Sequence, residues 1–333
     1  MKGEKPFILA RGPGRMTRDP RGIRSHLTPV RDVQVRPGMS ARELVEALGE
    51  GSAFSAKKVA IGAEVLRRMQ QPGITRVLSF PAALCATGVR GVLAQMVREG
   101  MVDAIVTTCG TLDHDLARTW RDYYHGSFDL DDRELHREEV NRLGNVLVPN
   151  ESYGEILEER LQPWLKEMFD GRKRWSTRDF CRELGERVRR EPHSEGSILR
   201  AAAERNVPIF LPGPTDGSVG SQVWVRYQQD REIGFDLLAD EQALSDLTFD
   251  AQEMGALMIG GGISKHHVIW WSQFRGGLDY AVYVTTAVEH DGSLSGARLE
   301  EAISWGKVKE DAKMVNIEGD AALILPLLVA SAL

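Results

Sequence analysis

Residues 289–307, EHDGSLSGARLEEAISWGK, bring carboxylates, an indole and a lysine close together in the chain. A carboxylate beside an indole can cradle an alkylammonium, combining Coulomb attraction with cation–π contact. Glu301 and Trp305 stand four apart, on one face of a short helix that could begin at Ser295 or Gly296 and end at Gly306. Lys307 would then project from the cap. It would act as a nucleophile only if burial or nearby cations left it a free amine, as imine formation requires. A solvated surface lysine is the plain alternative.

A second group of candidates follows apolar runs. It comprises Thr107-Thr108-Cys109-Gly110, Thr215-Asp216-Gly217-Ser218, Gly260-Gly261-Gly262, Thr285-Thr286 and Gly319-Asp320. Ligands of doubly wound sheets bind outside the carboxyl ends of the strands, where such residues would lie. The triple glycine leads into Ser264-Lys265-His266-His267. It would either admit a pyrophosphate to a helix N-terminus or simply make a tight turn, since no G-x-G-x-x-G loop is present. His266 and His267 are neighbours that point differently, so they form no simple bidentate metal site. At most one should face a ligand, and either could be an ordinary packed or surface histidine.

The elements that must hold these groups alternate. Apolar β-rich runs at residues 74–80, 104–108, 146–148, 207–211, 256–259, 280–286 and 314–317 are separated by helical patterns, among them 89–99, 153–169 and 198–205. That order predicts an α/β fold with a doubly wound, mostly parallel, Rossmann-like sheet. Residues 171–190 are polar and read as a surface excursion without a domain boundary. Residues 1–38 carry arginines, glycines and prolines with no hydrophobic period and read as an extended basic arm. The globular part, residues 39–333, opens on Ser40-Ala-Arg-Glu43, which fits a capping box.

With 333 residues, 42% of them hydrophobic, the chain can bury a full core. Its 48 acidic against 42 basic residues argue against a nucleic-acid coat and suit cationic ligands. Cys85, Cys109 and Cys181 have neither metal-ligand nor disulfide spacing, which points to a reducing cytoplasm and no structural metal. The short apolar run Phe7-Ile8-Leu9-Ala10 cannot form a signal-peptide core, and the apolar tail 323–333 is too short to span a bilayer. The tail reads as a buried helix, and no membrane role is expected.

From about Ala41 onward the sequence resembles the deoxyhypusine synthases. The resemblance rests on residues 102–108 (VDAIVTT), 141–153 (NRLGNVLVPNESY), 215–218 (TDGS), Gly260-Gly261-Gly262 with Lys265-His266-His267, and 304–307 (SWGK). It implies a homotetramer of Rossmann-like subunits with NAD and polyamine sites between subunits. In the implied reaction NAD takes hydride from spermidine, 1,3-diaminopropane leaves, and the aminobutylidene group is held on Lys307. The group then passes to a lysine of translation factor 5A, where the retained NADH reduces the new imine. Position by position, Thr108, Asp216, Gly261, Thr286, Ser295, Asp320 and the adjoining Ala321 resemble nucleotide contacts. His266, Glu301, Trp305 and Lys307 resemble polyamine and catalytic positions, with Asp291 in the same acidic loop. Taken alone, Asp320 could be a helix cap, Asp216 a turn residue, the threonines sheet contacts and Trp305 a packed indole.

Leu294 and Ser221 stand where the eukaryotic pattern has polyamine-binding aspartates, Asp113-His114 replaces a glutamate pair, and Ala83 replaces an asparagine near NAD. Residues 107–115 (TTCGTLDHD) and 123–127 (YYHGS) resemble the archaeal branch, where Asp113, Asp115 and Glu289 would supply the missing charge. Homospermidine synthases, which deliver the same group to putrescine, are the nearest alternative. A catalytically inactive NAD-binding paralogue and an ordinary nicotinamide dehydrogenase are others, the first disfavoured by Lys307, Glu301 and Trp305 together, the second by the missing Rossmann fingerprint.

Overall fold

The computed structural model describes residues 28–333, so most of the expected N-terminal arm, residues 1–27, lies outside the described residues. In chain order the strands are β1 (Ile74–Ser79), β2 (Ala104–Val106), β3 (Tyr124–His125), β4 (Val140–Leu143), β5 (Val146–Pro149), β6 (Arg174–Trp175), β7 (Ile209–Phe210), β8 (Gly234–Phe235), β9 (Glu253–Ile259), β10 (Leu278–Thr285) and β11 (Val308–Glu318). Six of them form a parallel sheet in the order β11-β10-β9-β1-β2-β7. The chain starts in mid-sheet, moves out to β7, then returns to pair β9 with the free side of β1. The switch point between β1 and β9 leaves a crevice at their carboxyl ends, the usual ligand position in such folds.

The sheet is apolar on both faces, as a parallel sheet covered by helices must be. Leu78, Ile105, Leu257, Val282 and Ile317 pack on one side under the helices Phe54–Met69, Val89–Arg98 and Ala321–Ala332. Val77, Val106, Met258 and Tyr283 pack on the other, beneath Leu237–Asp250, Gly262–Ser272 and Leu299–Ser304. The helix Ala41–Gly51 begins on the Ser40/Glu43 capping box read from the sequence. The apolar tail is the helix Ala321–Ala332, with Ile324, Leu325, Leu328 and Val329 buried. Among the described residues no helix is long and apolar enough to cross a membrane.

Two expectations are corrected. Residues 146–148 do form a strand, β5, but it joins a separate antiparallel sheet, β3-β5-β4, and not the central one. Residues 171–190 are no surface excursion. The helix Thr177–Val188 buries Phe180, Cys181, Leu184 and Val188 against the helix Ile198–Arg205, while its many charges occupy the outer face.

Candidate active site

Lys307 is held by its backbone. The helix Leu299–Ser304 starts at Arg298, not at Ser295 or Gly296 as the sequence suggested, because the Asn316 side chain accepts the Leu299 N–H at 3.0 Å. It ends in a Schellman arrangement. Gly306 N–H donates to Ile303 O at 2.9 Å, Lys307 N–H donates to Ala302 O at 3.0 Å, and Gly306 takes φ +66°, a conformation that favours glycine. The Lys307 carbonyl then accepts from Leu278 N–H at 3.1 Å and from Ser272 Oγ at 2.8 Å. Four hydrogen bonds thus fix the base of this half-buried side chain.

Lys307 precedes β11, so its backbone lies at the amino edge of the sheet, opposite the glycine turns. The helix Gly262–Ser272 joins the two edges, starting at the switch point and running back over roughly 16 Å. Its outer face carries His266 and, four residues on, Trp270, whose rings stack at 5.9 Å between centroids. Lys307 Nζ lies 5.9 Å from the Trp270 ring centroid and 5.2 Å from that of Trp305. Burial, and then the charge of Lys307, hold the His266 imidazole below its ordinary value, so it is neutral near neutral pH. Glu301 is exposed, and its charge acts on the buried Lys265. The structure therefore brings Lys307, Trp305 and His266 together, with Glu301 facing the same helix.

The nucleotide candidates line the carboxyl edge. Thr108 and Gly261 begin the helices Cys109–Trp120 and Gly262–Ser272, and neither helix has a side-chain cap, so their first amides are open to an anion. Asp216 is exposed and makes no side-chain hydrogen bond among the described residues. Thr286 lines a cavity of about 340 Å³ at the ends of β10 and β11, together with Thr285, Ala287, Gly296 and Glu318. Asp320 caps the last helix through Ala322 N–H, at the turn where Ala321 begins that helix. Open amides of this kind can bind an anion, and exposed carboxylates can accept from hydroxyl or amide groups. A Cβ at Gly261 would lie 2.3 Å from Ser295 Cα, so the glycine also admits the 293–297 turn.

The acids divide sharply. Glu289 pairs with Arg298 at 2.8 Å, and Asp291 caps its own turn through Ser293 N–H; both are exposed at the carboxyl edge. Asp113 and Asp115 do not provide free charge for an amine. Asp115 is fully buried and accepts from Arg90 Nε at 2.6 Å, Ser197 Oγ at 2.7 Å, Ile198 N–H at 3.0 Å and Leu199 N–H at 2.9 Å. Asp113 accepts from Tyr153 Oη, Ser218 N–H and Val219 N–H, and burial raises its pKa. Each carboxylate anchors the start of a helix. A larger cavity of about 680 Å³, lined by Asn141, Asn150, Tyr153, Glu155 and Glu158, shares no residue with the Lys307 cluster.

Trp270 went unassigned in the sequence, although it carried a signal, its i,i+4 spacing from His266. Lys265 stood in the glycine–histidine motif and was the next candidate nucleophile after Lys307, but only the folded loop reveals its partners: its ammonium donates to Leu294 O at 3.0 Å and Ala297 O at 2.7 Å.

The strand order defines the class of protein, a doubly wound α/β protein of Rossmann-like architecture. Within that class the deoxyhypusine synthase family model matches residues 43–332. A "Probable deoxyhypusine synthase" of Picrophilus torridus is 52% identical over 302 residues, covering 91% of this chain and 96% of its own. One of Ignicoccus hospitalis is 46% identical over 310 residues, covering 92% and 95%. The chain belongs to the deoxyhypusine synthase family, and it is a transferase of hypusine biosynthesis. A solved Entamoeba histolytica structure assigned by name to the same family shares the fold at TM-score 0.64 and 20% identity, covering 88% of this chain and 93% of its own.

Proposed function

We propose that this enzyme moves the aminobutyl group of spermidine, with NAD as cofactor, through an imine on Lys307 to a lysine of translation factor 5A. The observation that carries the reading is the seat of Lys307, backbone-locked between two indoles and beside a neutral imidazole in a chain of this family. Bound at the carboxyl edge, NAD would supply the hydride acceptor and donor. The chain's own residues do the remaining work. Lys307 Nζ adds to the C=N carbon of dehydrogenated spermidine, and the C–N bond to 1,3-diaminopropane breaks, so one imine replaces another without redox change. His266 moves the proton that this exchange requires. Trp305 and Trp270 bracket the apolar carbons, and Glu301 faces the distal ammonium. The acceptor lysine repeats the exchange, and its imine takes back the hydride, so the cofactor is recovered.

The outer face of the helix Gly262–Ser272 and the turn after it exposes Ile263, Trp270 and Phe274 beside an exposed Trp305. Such an unpartnered apolar stripe supports a homotetramer in which a second copy covers the site. Three buried, unpaired cysteines suit a cytoplasmic enzyme.

Borohydride trapping with NAD and labelled spermidine tests the reading. The native protein should carry label on Lys307, and Lys307→Arg, whose guanidinium stays protonated, should carry none. Label on Lys265, or on Lys309, which here pairs with Asp279, would overturn it.

A further inference from the structure

Lys265 is among the largest fully buried side chains, and no carboxylate hydrogen-bonds to its ammonium. Interiors rarely keep a cation on such terms, since a hydrophobe of similar size packs there at lower cost. Its three donors are nonetheless occupied. Two reach the Leu294 and Ala297 carbonyls, and the ammonium sits 3.5 Å from the centroid of the Tyr283 ring. Tyr283 Oη donates in turn to Ser295 O at 2.6 Å, and Thr285 Oγ1 donates to the same oxygen at 3.0 Å. All four hydrogen bonds converge on residues 294–297, a stretch without regular structure whose own carbonyls have no helix or strand to satisfy them.

That stretch connects the two halves of the site. Ser295 packs against Gly261 at the start of the helix Gly262–Ser272, and Arg298 follows directly, beginning the helix that carries Glu301 and ends at Lys307. Lys265 itself immediately precedes His266.

We propose that Lys265 is a positioning residue: its buried ammonium clamps the 294–297 turn onto the helix Gly262–Ser272 and so fixes the spacing between the nucleotide edge and the Lys307 cluster. The role rests on the reading of Lys307 as the nucleophile and of the carboxyl edge as the cofactor side. Lys265 takes no covalent part. The clamp works in either protonation state, because a neutral amine still has two N–H groups for the two carbonyls. Burial brings its pKa down to about 8, consistent with a cation held away from water.

The test compares full-length native protein with Lys265→Met, which keeps the stem and removes the donors. Amide hydrogen exchange across residues 289–298 should accelerate about tenfold, the equivalent of one lost interaction of ~1.4 kcal/mol, with the central strands unchanged. The dissociation constant for NAD should rise by about the same factor. Borohydride should still trap label on Lys307 at saturating NAD, a result that a nucleophilic Lys265 would not allow. Tyr283→Phe, which removes the bond to Ser295 O, should loosen the same residues less, and decides the matter if Lys265→Met does not fold. Unchanged exchange at 289–298 in the folded variants overturns the clamp, as does label on Lys265 in the native protein. The exchange comparison needs no ligand, so a native protein that fails to bind NAD would sink the cofactor reading while the clamp is still decided.

Discussion

The two acid-bearing regions, the helix Cys109–Trp120 and the segment 289–307, look alike in the sequence, with carboxylates close to a strand end. Folding gives them opposite tasks. Asp113 and Asp115 are enclosed, and between them they accept from Tyr153, Arg90, Ser197 and four backbone amides at the starts of two helices. Glu301, Asp291 and Glu289 stay in solvent, and while Glu289 pairs with Arg298 and Asp291 accepts from Ser293 N–H, Glu301 makes no side-chain hydrogen bond among the described residues. An acid is available to an amine only when its lone pairs are not already engaged, so hydrogen-bond count and burial, not residue type, separate a ligand-binding carboxylate from a structural one.

The largest effect should come from the structural side. Asp115→Asn leaves the Arg90 guanidinium buried without its counter-charge and weakens the start of the helix Ile198–Arg205. We expect a loss of about 3–5 kcal/mol of stability in a denaturant titration, with the residual folded fraction retaining its polyamine affinity. A variant with native stability and a weakened polyamine affinity would erase the distinction. Next, Glu301→Gln should leave stability within ~0.5 kcal/mol of native, as for other exposed substitutions. It should raise the KM for spermidine about tenfold, or ~1.4 kcal/mol, with kcat changed less. A melting shift as large as that of Asp115→Asn would place Glu301 on the structural side.

A third effect concerns pH. Burial holds Lys265 near 8 in the folded chain, below its ordinary 10.5. Between those values the unfolded chain binds more protons, so the stability owed to this residue is lowest below pH 8 and rises as pH climbs through the window. The stability of the native protein relative to Lys265→Met should therefore rise as pH increases from 8 towards 10.5, and parallel curves would contradict the assignment.

Much of the fold could be read in advance. β9 and β10 are continuous apolar runs because helices cover both sheet faces, and the Ser40/Glu43 box fixes a helix start through local hydrogen bonds. What escaped was non-local. β5 is as apolar as a central strand, yet its partners are β3 and β4. The charges on residues 171–190 hid the four-residue stripe that packs inward. Asp113 reaches Ser218, 105 residues away, and Asp115 reaches Leu199, 84 away, and nothing within either residue's own turn announces such partners. For the site, the residues of the Lys307 segment were legible as types and spacing. Their seat at the amino edge, and the clamp on Lys265, depended on how β11 and the 294–297 turn fold back.

The destination of the aminobutyl group decides the function. Native enzyme would be incubated with NAD, labelled spermidine, translation factor 5A and an equal concentration of putrescine, and the products separated into protein and small amines. Label should appear on one lysine of the factor faster than in any small amine, and Lys307→Arg should yield neither. Label recovered as homospermidine with the factor unmodified would contradict the proposed acceptor.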